Sequence, residues 1–472
     1  MKILLTGATG YIGKRLLPIL VAQKHEVICC VRDKNRFYCP KEFENNVTVI
    51  EVDFLNDERL NEIPNDIDAA YYLIHSMSGA ASNYDELESL SAKNFVSRVN
   101  QTTAKQVIYL SGIVNDQSLS KHLSSRKAVE TILNTGNYAT TTLRAGIIVG
   151  SGSASFEIIR DLVNKLPIMI TPKWLNTKCQ PIAINDVLDI LSKSLLNPLT
   201  YHQSFDIGSP DILTYKEMLL AFAKAKKLRR WIFTVPVMTP KLSSYWLYFV
   251  TSTSYKLATA LVSSMKVEVV CRDTKINELL GVHPMSYEKA LSRALIKVEE
   301  DQVASSWKDS LISGRFNNNI SEYLKVPKKD CFIDRRKMEI ANRDFTIERI
   351  WSIGGETGWY YGNWLWNIRG FIDKLFGGVG LRRGRTNKHS IHSGDVLDFW
   401  RVLYADKENG KLVLFAEMKL PGEAWLEFKI INNNLYQSAT FRPRGIWGKL
   451  YWYAVLPFHG FIFKGMLRKL IR

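Results

Sequence analysis

Three glycines near the start of the chain have the spacing of a phosphate-binding loop. The segment between a short apolar run and an amphipathic stretch is Thr6-Gly7-Ala8-Thr9-Gly10-Tyr11-Ile12-Gly13. In such a loop the first glycine permits a tight turn, the second lets the backbone approach a pyrophosphate, and the third allows close helix–strand packing. The following helix offers its leading N–H groups to the phosphates. Residues Gly7 to Gly13 are therefore predicted to bind a dinucleotide, with a glycine-rich turn that holds no ligand as the alternative.

Polar residues directly after the second and third predicted strands could contact the cofactor. Arg32, in Val31-Arg32-Asp33, suits the 2′-phosphate of NADP, whereas an acidic residue at this position would accept a hydrogen bond from the ribose 2′-hydroxyl of NAD. Arg32 therefore predicts NADP, and Asp33 keeps NAD as an alternative. Asp53 follows the third predicted strand and could hydrogen-bond adenine, or it could cap a short helix instead.

The elements that position these residues alternate between strand and helix. Short apolar runs predict strands at 3–6, 26–31, 47–52, 69–74, 106–110 and 141–149. Amphipathic segments predict helices at 11–23, 83–99 and 122–135. Such alternation is typical of a parallel sheet covered on both faces, so a doubly wound α/β domain of the Rossmann type is expected.

The last 140 residues have a different pattern. Alternating segments predict consecutive antiparallel strands, followed by a long helix over 448–472. Residues 299–329 lose periodicity and indicate a linker. We therefore predict a nucleotide-binding domain at 1–300 with a helical substrate-side region, a linker at 301–330, and an α+β domain at 331–472.

Several motifs resemble those of a known family. TGATGYIG, VRD, VDF, YLSGI and LRAGIIVG are similar to motifs of the atypical short-chain dehydrogenase/reductase group, which includes NmrA-like and YbjT-like NAD(P)-binding proteins. GGETGWYYGNWLWNIRG and YWYAVLPFHGFIFKGM resemble the domain of unknown function DUF2867. That domain is similar to the START/Bet v 1-like helix-grip fold. The resemblance covers nearly the whole chain and implies a Rossmann domain followed by a helix-grip domain.

The resemblance also implies where a reaction would take place. Short-chain dehydrogenases use a Tyr-x-x-x-Lys pair and a serine on the preceding strand. Ser111 matches the serine, but none of the 20 tyrosines has a lysine four residues later, and His122 and Arg126 occupy the pair's position. His122 could donate the proton, because imidazole titrates near neutral pH, and Arg126 could hold the ribose or a phosphate. The alternative is a site that binds the dinucleotide without turnover.

The predicted tail domain could hold a hydrophobic guest. Helix-grip domains enclose an apolar cavity between sheet and helix. Aromatic residues that could line such a cavity, or simply fill the core, are Trp400, Trp425, Trp447, Trp452, Phe458, Phe461 and Phe463. Asp398 and Glu417 are interpreted as surface carboxylates.

Charge and composition limit the partners. The chain has 63 basic and 46 acidic residues, a net charge of +17, and its tail contributes an excess of ten positive charges. Basic residues that could attract anionic lipid head groups, or that could instead form a solvated loop and helix face, are Arg382, Arg383, Arg385, Lys388, Lys464, Arg468, Lys469 and Arg472. No nucleic-acid motif or metal-ligand spacing is present, and the six cysteines form no CxxC pair.

Together these features predict an NADP(H)-binding protein that acts as an oxidoreductase on a hydrophobic carbonyl or quinone-like compound. The alternatives are a non-catalytic NADP(H) sensor or scaffold, and a lipid-binding membrane-peripheral protein. The N-terminus carries no signal-peptide pattern, so the expected location is the cytoplasm, with peripheral membrane contact as an open alternative.

Overall fold

The computed structural model describes residues 1–74, 84–114, 121–235, 240–251, 255–299, 323–380 and 390–472. It divides into two units, one formed by Met1–Lys34 with Cys39–Gly314 and one formed by Asn35–Tyr38 with Arg315–Arg472. Most of the predicted linker, residues 301–322, lies outside the described residues.

The first unit contains thirteen strands and ten helices among its described residues. The strands are β1 (Lys2–Leu5), β2 (Glu26–Val31), β3 (Val47–Glu51), β4 (Ala69–Tyr72), β5 (Gln106–Gly112), β6 (Ala139–Ala145), β7 (Ile148–Val149), β8 (Ile168–Pro172), β9 (Lys178–Cys179), β10 (Ile182–Ala183), β11 (Gln203–Ile207), β12 (Leu213–Thr214) and β13 (Trp231–Val235). The helices are α1 (Gly13–Ala22), α2 (Tyr84–Val99), α3 (Lys121–Leu133), α4 (Ala154–Lys165), α5 (Ile184–Lys193), α6 (Tyr215–Ala225), α7 (Pro240–Val250), α8 (Tyr255–Ser264), α9 (Lys275–Leu280) and α10 (Tyr287–Glu299).

Seven of these strands form one parallel sheet in the order β11-β6-β5-β4-β1-β2-β3. Two neighbouring tyrosines show that helices cover both faces. Tyr71 donates to the carbonyl of Leu191 in α5, while Tyr72 donates to Ser91 in α2. Successive side chains of a strand point to opposite faces, so α5 and α2 lie on opposite sides of the sheet. The strand order reverses between β1 and β4, and such a switch point is where open α/β sheets bind ligands.

The rest of the first unit forms a second core beside the sheet. Short strands pair as β7 with β10, β8 with β13, and β9 with β12. Buried side chains of α4, α6, α8 and α10 join them, with the rings of Phe156 and Phe222 packed 5.7 Å apart. This is the helical region expected on the substrate side.

The second unit is an antiparallel sheet with three helices among its described residues. The strands are β14 (Phe332–Glu339), β15 (Val396–Leu397), β16 (Trp400–Asp406), β17 (Lys411–Ala416), β18 (Gly422–Ile431) and β19 (Asn434–Pro443). The helices are α11 (Arg343–Trp351), α12 (Asn363–Leu375) and α13 (Gly445–Leu470). The sheet order is β14-β19-β18-β17-β16-β15, and Ile462, Met466 and Leu467 of α13 belong to the core. The predicted fold class, a Rossmann domain followed by an α+β domain with a C-terminal helix, is confirmed.

Two carboxylates of the tail differ from their predicted surface positions. Glu417 is buried and accepts from Arg401, whose Nε and Nη2 lie 2.8 and 2.7 Å from Oε1. Asp398 is also buried and accepts from the indole of Trp359 at 2.8 Å. Both prediction errors have one cause, because a carboxylate is stable inside a core when a hydrogen-bond partner for it arrives from elsewhere in the sequence.

The length and apolar character of the described helices decide whether one of them could span a bilayer. None of them is both long and apolar enough to cross a membrane, and this includes the 26-residue α13.

Candidate functional site

The glycine loop lies at the switch point of the sheet. Gly7 follows β1 with a φ of +65°, and a Cβ at this position would lie 2.5 Å from the carbonyl oxygen of Leu73. Thr6 fixes the same approach, since its N–H donates to Tyr71 and its Oγ1 accepts from the N–H of Leu73. Glycine is therefore required at position 7 by both its backbone conformation and its neighbour.

The other two glycines have different environments. A Cβ on Gly13 would overlap the backbone of Gly7 and Ala8, which gives the close packing expected of the third glycine. A Cβ on Gly10 would meet only the Gly7 oxygen, at 3.1 Å. Steric contacts within the chain therefore restrict position 10 to glycine less strongly than position 13.

The start of α1 suits an anion. The residue before the helix, Ile12, provides no side-chain cap, and the first turn holds no acidic residue among the described positions. The N–H groups of Lys14 and Arg15 already donate to the carbonyls of Gly10 and Ile12, and the amino end of the helix carries partial positive charge. Helix and glycine loop together therefore fit a pyrophosphate.

Two side chains tie the loop to the second core. Tyr11 Oη and Arg15 Nη2 donate to the carbonyl of Ser151 at 3.3 and 2.7 Å, and the guanidinium lies 4.7 Å from the tyrosine ring. Burial raises the pKa of Tyr11 to about 12, so the hydroxyl remains a neutral donor. The predicted cofactor residue Tyr11 thus contributes its backbone to the loop and directs its hydroxyl at Ser151.

The candidates for cofactor selection lie directly after their strands. Arg32 is exposed after β2, whereas Asp33 is buried. The arginine is therefore the more accessible of the two to a ligand. Asp53 is half-buried after β3, and its Oδ1 accepts from the N–H of Leu55 at 3.1 Å. One carboxylate oxygen is thus used in a local turn rather than in a helix cap, since the next short helix begins at Leu60, and the adenine contact remains a prediction.

Ser111 lies near the carboxyl end of β5. It is buried, and its Oγ has no hydrogen-bond partner within the described part of the chain. Arg126, on α3, reaches the same strand and donates from Nη1 to the carbonyl of Leu110 at 3.1 Å. The structure thus brings Arg126 to the residue beside Ser111.

A group of polar residues around Arg126 was missed in the sequence. Tyr109 Oη lies 3.5 Å from Arg126 Nη1, and Ser125 donates to the buried carboxylate of Glu88 at 2.5 Å. Burial by itself lowers the pKa of Arg126, but Tyr109 and Glu88 outweigh burial and raise it. The guanidinium therefore stays cationic. Tyr109 could have been found, because it precedes Ser111 by two positions on the same strand face, but Glu88 comes from another helix.

Two of the predicted sites lie partly or wholly outside the described residues. The backbone puts His122 one turn before Arg126 in α3, and its side chain lies outside the described residues. The basic cluster from Arg382 to Lys388 also lies outside them.

Arg144, in β6, forms an ion pair with Glu130 of α3. Its Nη2 and Nε lie 2.5 and 3.2 Å from the two carboxylate oxygens of Glu130. Asp206 lies nearby and forms a bidentate pair with Arg272. This cluster joins β6, α3 and β11 as a structural network.

The tail aromatics divide into two groups. Trp400, Trp425, Trp452 and Phe463 are buried, and Trp400 joins the core cluster. Trp447, Phe458 and Phe461 are more than half exposed on α13. The exposed group does not line an interior cavity, so the predicted guest site would have to use the buried group.

Comparison with protein families adds to this geometry. A family model described as NAD(P)H-binding matches residues 7–152, and the model for the protein of unknown function DUF2867 matches residues 328–466. The chain joins an NAD(P)H-binding domain to a DUF2867 domain. The resemblance predicted from the motifs is thereby confirmed, and the cofactor of the NAD(P)H-binding domain is a nicotinamide dinucleotide. No protein of the curated set matches the sequence.

Solved structures are similar to the NAD(P)H-binding part of the chain. A nucleoside-diphosphate-sugar epimerase from Staphylococcus aureus is 17% identical with a TM-score of 0.50, over 62% of this chain and 100% of its own. The triphenylmethane reductase of a Citrobacter species is 16% identical with a TM-score of 0.51, over 63% and 100%. At such identities the likeness shows a shared fold.

Proposed function

We propose that the NAD(P)H-binding domain is an NADP(H)-dependent oxidoreductase that acts on a hydrophobic carbonyl or quinone-like compound. The observation that carries the proposal is the buried Ser111 Oγ, which has no partner among the described residues and lies beside the strand carbonyl that holds Arg126. A buried hydroxyl without a partner costs free energy, so a ligand oxygen at this position would restore a lost hydrogen bond.

The loop residues Gly7 to Gly13 and the start of α1 would hold the pyrophosphate, and Arg32 would bind the 2′-phosphate. The bound NADPH supplies the hydride. Ser111 would donate a hydrogen bond to the substrate oxygen and orient it, and His122 would deliver the proton to that oxygen. Arg126 cannot exchange protons, because its pKa is far above neutral. Its role would be a fixed positive charge near the ribose or a phosphate.

The hydrophobic substrate class has support from the first unit. The ribbon of β8 and β13 exposes two cross-strand pairs, Ile168 with Trp231 and Ile170 with Phe233. Exposed apolar side chains that lie together on a surface mark a contact for an apolar ligand or partner.

A second candidate is a protein that binds the dinucleotide without turning it over. It is favoured by the contacts of Arg126, whose guanidinium donates to the Leu110 carbonyl and lies against Tyr109. A cation held in this way serves the packing of α3 on β5 as well as it would serve a cofactor.

One set of measurements distinguishes the two candidates. Binding of NADPH and NADH is measured by calorimetry, and oxidation of NADPH is followed with a panel of carbonyls and quinones. For the oxidoreductase we expect that Ser111→Ala and His122→Gln lower kcat by at least tenfold and leave NADPH affinity unchanged. The control Ser124→Ala changes an exposed serine of α3 and should have no effect. Tight NADPH binding with no consumption across the panel would favour the sensor.

The choice of NADP has its own test. Arg32→Ala removes charge-assisted hydrogen bonds of about 1.5–3 kcal/mol, so NADPH affinity should fall about ten- to a hundredfold while NADH affinity stays the same. Lys34→Ala, at an exposed position two residues later, is the matched control. Equal losses for both nucleotides would refute the role of Arg32.

A further inference from the structure

Two helices of the tail unit expose a large apolar surface. Six aromatic side chains of α12 and α13 and their flanking residues are each more than half exposed, namely Trp364, Phe371, Phe376, Trp447, Tyr453 and Phe461. We call this surface the aromatic face. Single exposed apolar residues are common in proteins, but a clustered set of large aromatics marks a surface that binds something.

Side chains of α12, of α13 and of the residues just before α12 contact each other. The ring of Tyr361, just before α12, lies 4.9 Å from the ring of Phe461, and the Arg369 guanidinium lies 5.2 Å from the ring of Tyr451. Trp366 and Phe463 meet below them, with ring centroids 6.4 Å apart. The two helices therefore touch through side chains that are buried or half-buried, and each helix also carries exposed aromatic side chains.

The charge around the face has one sign at the end of α13. From Gly445 to Arg472 the sequence contains five basic residues and no acidic residue. Four of these bases join Arg349 in a groove of about 380 Å³ that Tyr361 and Phe461 also line. In the described part of the chain none of the four forms an ion pair, and these are Lys464, Arg468, Lys469 and Arg472.

We propose that the aromatic face docks on an anionic lipid bilayer, with α12 and α13 lying in the plane of the interface. Aromatic side chains partition into the boundary between head groups and acyl chains, and basic residues beside them attract anionic head groups. Each lysine or arginine near an anionic surface strengthens such binding. The groove beside Phe461 would contact lipid phosphates while the aromatic side chains enter the interface.

The same charges argue against self-association as the use of this face. Two copies joined through it would bring two uncompensated basic grooves close together, and like charges oppose such a contact. A bilayer supplies an apolar layer for the aromatic side chains and negative charge for the basic residues. The proposal rests on the tail alone, so it holds or fails independently of the proposed oxidoreductase activity.

The test is co-flotation of the full chain with vesicles. We expect the protein to float with phosphatidylcholine vesicles that contain phosphatidylglycerol, to stay at the bottom with phosphatidylcholine alone at moderate salt, and to lose binding as salt is raised. Failure to float with either vesicle at low salt would overturn the proposal.

Variants separate the aromatic from the basic contribution. Trp447→Ser combined with Phe371→Ser, and separately Lys464→Glu combined with Arg468→Glu, should each lower the bound fraction at least tenfold. Leu199→Ser is the control, because it removes an exposed apolar side chain from the first unit and should bind vesicles as the unaltered protein does. Near-ultraviolet circular dichroism checks that each variant is folded.

Sedimentation velocity without lipid completes the test. We expect the Trp447→Ser, Phe371→Ser double variant to sediment like the unaltered chain. If the unaltered chain is a dimer and this variant is a monomer, the face binds a second copy of the chain and the proposal is wrong. Equal vesicle binding by this variant and by Leu199→Ser would also refute the proposal.

Discussion

The replacement Gly7→Ala tests whether the glycine loop is built as tightly as its geometry indicates. Two costs are expected. An L-residue at a φ of +65° is strained by about 1–2 kcal/mol. The new Cβ would also lie 2.5 Å from the oxygen of Leu73, and forced contacts of this kind cost about 1–3 kcal/mol. The sum is about 2–5 kcal/mol, because the hydrogen bonds of Thr6 hold Leu73 in place and prevent it from moving away.

Gly281→Ala is the matched control for this prediction. Gly281 belongs to the same unit, has a φ of +59°, and has no atom within 4 Å of a built Cβ. It should therefore lose only the backbone cost of about 1–2 kcal/mol. The difference between the two variants measures the steric contact with Leu73.

The assay is urea unfolding with and without NADPH. A chain with two units need not unfold in one step, so the relevant transition is the one that NADPH shifts to higher urea concentration. Gly7→Ala should lower its midpoint more than Gly281→Ala and should also weaken NADPH binding. Equal midpoints for both variants, or unchanged NADPH affinity in Gly7→Ala, would refute the reasoning.

Three further predictions concern both units. Gly10→Ala should leave stability within about 1 kcal/mol, because its Cβ meets only one atom at 3.1 Å, yet it should reduce NADPH affinity in calorimetry. Glu417→Gln should destabilise the tail by about 3–5 kcal/mol, because it leaves the buried Arg401 charge without its anion. Glu423→Gln breaks a partly exposed pair with Arg442 and should cost less than about 1 kcal/mol. Thermal unfolding measures both losses. Burial, together with Arg336 and Arg369, lowers the pKa of His459 to about 4 despite the opposing charge of Asp334. Between about pH 6.5 and 4 the unfolded chain then binds more protons than the folded chain, so tail stability should fall by up to about 3 kcal/mol as the pH falls through that window. The measurement is the urea midpoint of the tail at a series of pH values. In His459→Gln this midpoint should depend less on pH.

Local patterns predicted most of the elements. The helix expected at 83–99 is α2 (Tyr84–Val99), and the strand expected at 26–31 is β2 (Glu26–Val31). Such elements follow from the periodicity of neighbouring residues. β14 was missed, since its charged sequence becomes a strand only by pairing with β19, about a hundred residues later. Long-range pairing leaves no local signature in the sequence.

The candidate site was partly predictable for the same reason. The glycine loop is a contiguous motif, and its position at the switch point follows from the strand order. The contacts of Arg126 with Tyr109 and Leu110 depend on how α3 packs on β5, and the pair of Arg401 with Glu417 depends on strand register. The exposed aromatic side chains of α13 were also unexpected, because apolar residues in a long helix normally indicate burial.

The position of β14 has a consequence for the order in which the tail can form. The first strand of this unit pairs with its last strand, β19, and α13 contributes the side chains that close the core. During synthesis β14 therefore has no partner until β19 has been made, while every strand of the seven-stranded sheet is already present. The nucleotide domain can thus fold first, and the tail must remain open until its last elements emerge. Premature termination before or within β19 would leave β14 without its partner strand and prone to aggregation, while sparing dinucleotide binding.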